Sequence, residues 1–317
     1  MKIINKKDII KILSNYDIGT YKSHEYFTAG CVQINIKVNT TKNTYALRIY
    51  RTRTIPYVKY EFNVLNYLSK KKYPTPLPIR NLHGKFIFKY NKYPVGIFSF
   101  IEGKHIKKLN KVQYKDLIFH LAKLHNITSK YKPKYGEHRE SLDHKYVLSV
   151  IKKEIKKFNN SLKGKKRYNF VIGELKKTIL PKSLPKGVIH GDYCAGNILF
   201  GKRINGVIDF DNACYNNLIY DLAFIIYDWT SFKENDNYFE ESKKIINLYQ
   251  EIRPLNNVEK KYLFDQLKII CLVYTGWFFY DSINKESGRD IFEKSKERIE
   301  RLNEIGRKEF YKKMFEK

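Results

Sequence analysis

Apolar positions along the first hundred residues recur with two different periods. Ile4, Ile9, Ile12 and Leu13 fall on one face of a short amphipathic helix within residues 1–16, closing near Gly19. The stretch VQINIKVNTTKNTYALRIYR then alternates apolar and polar residues on both sides of a TTKNT turn, which predicts a hairpin with one face buried. Pro56 opens a second helix whose Val58, Phe62, Leu65 and Leu68 share a face. It stops before YPTPLP, Tyr73 to Pro78, where proline favours extended backbone. KFIFKY and VGIFSF predict a further strand pair leading to IEGK, Ile101 to Lys104. From Val112 onward the period lengthens to that of helices, interrupted by two short strands, NILF and GVIDF, joined by a tight turn. The expected architecture is α+β, with a small β-rich lobe over residues 1–102 and a larger α-helical lobe over 103–317.

Composition bounds this picture without naming an activity. The chain has 317 residues, is 43% hydrophobic and carries a formal net charge of +29. Such a charge could draw a polyanion, because cations gain affinity by releasing condensed counterions. However, only 12 of the 61 basic residues are Arg, and the lysines are spread among Ile, Asn and Tyr. The densest run, Lys152 to Lys186, reads as a solvated helix face, so nucleic acid is not the expected partner. Cys31, Cys194, Cys214 and Cys271 show no CxxC spacing and fit free thiols in a reducing compartment. The N-terminal MKIINKKDIIKIL has charges inside its apolar pattern, unlike a signal peptide, and Ile269 to Tyr280 is too short to span a bilayer. A cytoplasmic protein without membrane association is expected. No feature specifies an oligomeric state.

Chemistry concentrates in VIHGDYCAGNILF, residues 188–200, where polar side chains crowd between apolar runs. Asp192 precedes Asn197 by five positions, and the strand that follows returns as GVIDF, ending in Asp209. A hairpin of that length brings Asn197 and Asp209 together as oxygen donors. Mg²⁺ takes hard oxygen ligands and shares its shell with substrate phosphates, so one amide and one carboxylate suffice. Asp192 is then left to receive the proton of an attacking hydroxyl, the division of labour that protein kinases use. An Asx-rich turn would explain Asp192 or Asn197 alone. It does not explain Asp209 in an otherwise apolar strand, where an unpaired carboxylate is costly.

In the small lobe, Arg48 alternates with apolar neighbours in ALRIY, and Glu61 falls on the apolar face of the next helix. A buried Glu calls for a cation, and Arg48 is the nearest candidate. The pair reads either as the phosphate-holding cation and its anchor or as a structural link between sheet and helix. His120 and His125 are five apart and do not share a helical face, so packing or capping is expected of them. Asp211 reads as a second metal-side carboxylate or as a hydrogen-bonded one, and Trp277 to Tyr280 as packing residues.

HGDYCAGN, followed by VIDFDNA and YDLA, resembles the aminoglycoside phosphotransferase and choline kinase superfamily, whose fold is protein-kinase-like and two-lobed. Within it, YDIG, YALRIYR, VIDFDNACYNNLIYDLA and IRPLNNVEKKYL are similar to the bacterial homoserine kinases of that fold (type II). The resemblance implies Asp192 as catalytic base, Asn197 and Asp209 as Mg²⁺ ligands, and ATP between the lobes. It also implies that His190 and Asp221 hold the loop, and that FSFIEG, with Phe98 and Phe100, is the hinge whose backbone meets adenine. For a phosphate loop, TAGCVQINIKV offers one glycine, Gly30, before the strand, far from a GxGxxG pattern. The implied activity is ATP- and Mg²⁺-dependent transfer to a small-molecule hydroxyl, with homoserine the first acceptor and an aminoglycoside or other small alcohol the alternative. One departure concerns homoserine: VYTGWFFYDS lacks the Arg that the homoserine kinase pattern places there to meet a substrate carboxylate. A nucleic-acid-binding protein on a degenerate kinase scaffold is the reading from a different class.

Overall fold

The computed structural model describes residues 4–27, 32–106, 108–229, 237–281 and 290–316. In chain order the elements are α1 (Lys6–Leu13), β1 (Tyr21–Tyr26), β2 (Ile34–Thr40), β3 (Thr44–Ile49), α2 (Ile55–Lys70), β4 (Pro78–Ile79), β5 (Ile87–Tyr90) and β6 (Tyr93–Ser99). They continue with α3 (Lys111–Thr128), α4 (His144–Glu154), α5 (Leu162–Lys177), β7 (Lys186–Ile189), β8 (Ile198–Phe200), β9 (Ile204–Val207), β10 (Cys214–Asn217), α6 (Ile219–Trp229), α7 (Tyr238–Gln250), α8 (Asn257–Trp277) and α9 (Ile291–Phe315). They form two compact units, the first made of residues 1–113, 133–139 and 195–211 and the second of the remainder.

In the first unit the antiparallel order is β1-β2-β3-β6-β4, with β5 also paired to β6. The predicted hairpin is β2–β3, and its register sets Arg48 opposite Asn35 on one side and Gly96 on the other. The alternation sorts the two faces. Ile36, Val38, Leu47, Ile49, Val95 and Ile97 pack with Ile9, Ile12 and Leu13 of α1. The opposite face meets α2 so closely that a Cβ on Gly96 would lie 2.2 Å from the Phe62 ring, so only glycine fits there. The first helix is shorter than its apolar pattern suggested, because Asn5 and Asp8 form a reciprocal capping box that starts it at Lys6. The β8–β9 hairpin belongs to this unit and is tied to it by the Val207 amide donating to the Pro74 carbonyl at 2.8 Å.

The second unit is helical around α8, which packs against both α6 and α9. Ile219 to Tyr227 of α6 are all buried, so this helix is core on every side. A two-stranded ladder, β7 with β10, pairs Ile189 with Cys214 and carries the segment that begins at His190. Neither of those strands was legible as a separate element. Phe279 is fully buried and Tyr280 exposed, while the Trp277 indole donates to the Tyr146 hydroxyl at 2.6 Å.

Candidate active site

The β8–β9 turn brings two of the expected donors together. Ile198 pairs with Val207, and the Ile208 amide donates to the Asn197 carbonyl at 2.9 Å, so Asn197 and Asp209 lie at the same end of one hairpin. Asp209 differs from the sequence expectation in its setting. The strand ends at Val207, and Asp209 sits beyond it with a side chain 44% exposed, so the argument from a carboxylate buried in a strand does not hold. The apolar pattern misled because Phe210, fully buried in the following turn, continues it past the last ladder pair. Asp209 also has φ +63°, a left-handed backbone that costs about 1 kcal/mol or more in a non-glycine residue and tends to mark functional positions.

Arg48 connects this hairpin end to α2. One terminal nitrogen donates to Asp209 Oδ1 at 2.9 Å, and the other lies 3.7 Å from Glu61. The Glu61 side chain is only 2% exposed, and burial raises its carboxyl above the usual range despite the opposing pull of Arg48. Asp211, left open by the sequence, accepts a forked pair from Arg53, with Nε at 3.1 Å and a terminal nitrogen at 2.8 Å from Oδ2. Its carbonyl accepts from the Tyr57 hydroxyl and from Arg139. Asp211 is therefore a fastening point for the turn after Asp209.

Phe98 is buried against Phe62, with ring centroids 4.7 Å apart, so its side chain is core. Phe100 is half-buried, its ring parallel to Phe27 and capped by Lys37 at 4.6 Å. Gly30 and Cys31 lie outside the described residues.

In the second unit, the segment from His190 to Asp192 is held from beneath by Asp221. Asp221 Oδ2 accepts from the His190 amide at 2.7 Å and Oδ1 from the Gly191 amide at 2.9 Å. His190, fully buried, accepts the Asp192 amide through Nδ1 at 3.3 Å, a positioning contact rather than an acid's place. Gly191 has φ +80°, and a Cβ there would lie 2.6 Å from the Asn212 carbonyl oxygen, so the turn needs glycine. Asp192 emerges half-buried, and the Cys194 amide donates to its carbonyl at 3.0 Å.

Sequence reasoning missed what lies behind Asp221. His125 donates from Nε2 to Asp221 Oδ2 at 3.1 Å, and its Nδ1 faces the Tyr249 hydroxyl at 2.6 Å. Arg253 donates to the same hydroxyl at 3.1 Å and pairs with Glu259 at 2.8 Å. A carboxylate only accepts and a guanidinium only donates, so every proton in the chain is assigned: Tyr249 donates to His125, which donates to Asp221. His120 has a separate role, capping the Asp116 carbonyl at 2.8 Å.

Residues 26–255 match the phosphotransferase enzyme family. The chain belongs to that family. It is a small-molecule kinase with the protein-kinase-like α+β fold. A homoserine kinase of Parvibaculum lavamentivorans is 28% identical over 262 residues, covering 80% of this chain and 78% of that protein. Among solved structures, an amicoumacin kinase in complex with AMP-PNP, Ca²⁺ and Ami superposes with a TM-score of 0.68 at 16% identity, covering 98% of this chain and 94% of that one. A microcompartment-associated aminopropanol kinase gives a TM-score of 0.68 at 16% identity, with coverage of 95% and 97%. At such identities these structures speak for the fold. Among the described residues no helix is long and apolar enough to cross a membrane.

Proposed function

We propose that this kinase transfers the γ-phosphoryl group of ATP to the side-chain hydroxyl of homoserine, with Mg²⁺ as the required metal. The observation that carries the reaction type is the Asn197–Asp209 hairpin end with Arg48 on Asp209. It offers an amide and a carboxylate, the hard oxygens that Mg²⁺ takes, beside a guanidinium suited to phosphate. Among the described residues no three His, Cys, Asp or Glu side chains cluster as a metal site, which suits an ion that completes its shell with nucleotide oxygens and water. When bound, Mg²⁺ held by Asn197 and Asp209 supplies charge neutralisation at the phosphates. Asp192 accepts the acceptor's hydroxyl proton, and Asp221 with His190 fixes the backbone that carries it. Arg48, 3.7 Å from Glu61 and paired with Asp209, is the cation that would meet the nucleotide phosphates.

Homoserine as acceptor rests on the 28% identical relative, supported by coverage of most of both chains. An aminoglycoside would call for an acidic surface. Of the acids between residues 228 and 241, Asp228, Glu240 and Glu241 are described, and Glu234 and Asp236 fall outside the described residues. The experiment is transfer from γ-labelled ATP to homoserine, choline, sugars and aminoglycosides. The reading expects labelled homoserine and no labelled aminoglycoside; the reverse pattern overturns it.

A further inference from the structure

The left-handed backbone of Asp209 needs support, because such strain persists only where the surroundings over-determine it. Part of that support is the next residue, Phe210, whose side chain is buried. The rest comes through Asp211, whose carboxylate takes the Arg53 fork. The Asp211 carbonyl takes two more donors, the Tyr57 hydroxyl at 3.1 Å and Arg139 Nη1. Tyr57 lies on α2, one turn before Glu61, whereas Arg139 stands 72 positions before Asp211 and outside both α2 and the β8–β9 hairpin. All of these residues belong to the first unit.

Arg139 is 9% exposed, and among the described residues it makes no ion pair, while its Nε and Nη2 are buried without a hydrogen-bond partner. Its guanidinium carbon lies instead 3.8 Å from the centroid of the Tyr57 ring and 4.8 Å from that of Tyr60. A guanidinium without its own carboxylate is costly to bury, and contact with two phenol rings offsets part of that cost. A planar cation can stack on a ring while one nitrogen still reaches the carbonyl, which an ammonium does less well. Arg53 lies 4.3 Å from the same Tyr57 ring, so one side chain of α2 meets both cations that grip Asp211. We propose that Arg139 is a positioning residue for the metal: with Tyr57 it fixes the Asp211 carbonyl and so holds Asp209 in the conformation that presents its carboxylate to Mg²⁺. This hold is separate from the one that Glu61 exerts on Asp209 through Arg48. The inference rests on Asp209 as the metal carboxylate of the proposed function and assigns what keeps that carboxylate in place.

The test measures ATP binding by calorimetry, once in Mg²⁺ and once in EDTA, for the wild type, Arg139→Met, Arg139→Lys, Tyr57→Phe and Asp209→Ala. The readout is the ratio of the two affinities, the gain that the metal brings. In Arg139→Met that ratio falls by about 10-fold, the usual effect of removing a group that orients a metal ligand, while affinity in EDTA stays within about twofold of wild type. Arg139→Lys recovers part of the ratio. Tyr57→Phe keeps the ring on which Arg139 stacks and loses only a donor to the carbonyl, so it folds where Arg139→Met might not, and lowers the ratio about threefold, the worth of one hydrogen bond. Equal falls in Mg²⁺ and in EDTA mark Arg139 as a packing residue and overturn the inference. So does a ratio that Tyr57→Phe and every folded Arg139 variant leave at the wild-type value while Asp209→Ala lowers it. If Asp209→Ala itself keeps the wild-type ratio, the metal role of Asp209 is overturned and the inference with it.

Discussion

Asp221 and His125 meet at 3.1 Å, and neither side chain has any solvent exposure. The contact closes a chain of hydrogen bonds from Glu259 to the amides of His190 and Gly191, and so to the backbone that presents Asp192. Asp221→Asn swaps one accepting oxygen for a donating NH₂ that faces N–H groups. The expected loss is on the order of 2 kcal/mol or more in stability, the worth of a hydrogen bond to a charged group, together with a lower kcat. Denaturant unfolding and steady-state kinetics of the same variant check it.

The same contact predicts a pH dependence. Burial holds His125 below its ordinary value of 6.5, against the opposing pull of Asp221. The unfolded chain therefore binds a proton in a window where the folded chain does not. The stability His125 contributes is present above about pH 6.5 and lost as pH falls through its lowered folded value. Unfolding curves of wild type and His125→Gln should lie furthest apart near pH 7.5 and converge towards pH 5.5.

Arg48 serves two carboxylates, and its substitutions should separate charge from geometry. Arg48→Met takes from buried Glu61 its ion-pair partner, at a cost on the order of 3 kcal/mol. Arg48→Lys keeps the charge but not the fork that reaches Glu61 and Asp209 together, so stability should fall less while ATP affinity still drops. Thermal unfolding and nucleotide titration distinguish the two effects.

Gly191→Ala places a Cβ on a left-handed backbone and against the Asn212 carbonyl. The expected destabilisation is about 1–3 kcal/mol, with a larger proportional loss of kcat than of ATP affinity, because the strain enters directly beside Asp192. Gly84→Ala, at φ +71° with no atom within 4 Å, is the control for backbone strain without the clash.

The sequence is most legible where structure depends on neighbours along the chain. Alternation revealed β2, β3, β5 and β6, and the return of GVIDF after NILF identified the hairpin whose one end carries both Asn197 and Asp209. Strand β1, YKSHEY, was hidden because only Tyr21 and His24 are half-buried, leaving no apolar alternation to read. β7 and β10 are four residues each, too short for a period to emerge. Long-range polar pairs were equally hidden. Nothing local tells that Arg53 fastens Asp211, or that His125, in a helix whose histidines looked like packing, orders Asp221. Glu61 was accessible because a charged residue on an apolar face demands a partner, and alternation had already set Arg48 in the adjoining strand.

The central claim is that Asp192 takes the proton of homoserine as phosphate is transferred, and one measurement addresses it directly. Wild type and Asp192→Asn are compared for γ-phosphoryl transfer from ATP to homoserine at saturating Mg²⁺, with ATP binding measured in parallel. The account predicts that Asp192→Asn binds ATP like the wild type but transfers phosphate about 10²- to 10⁴-fold more slowly, the usual worth of a positioned general base. Transfer at the wild-type rate by Asp192→Asn would contradict it.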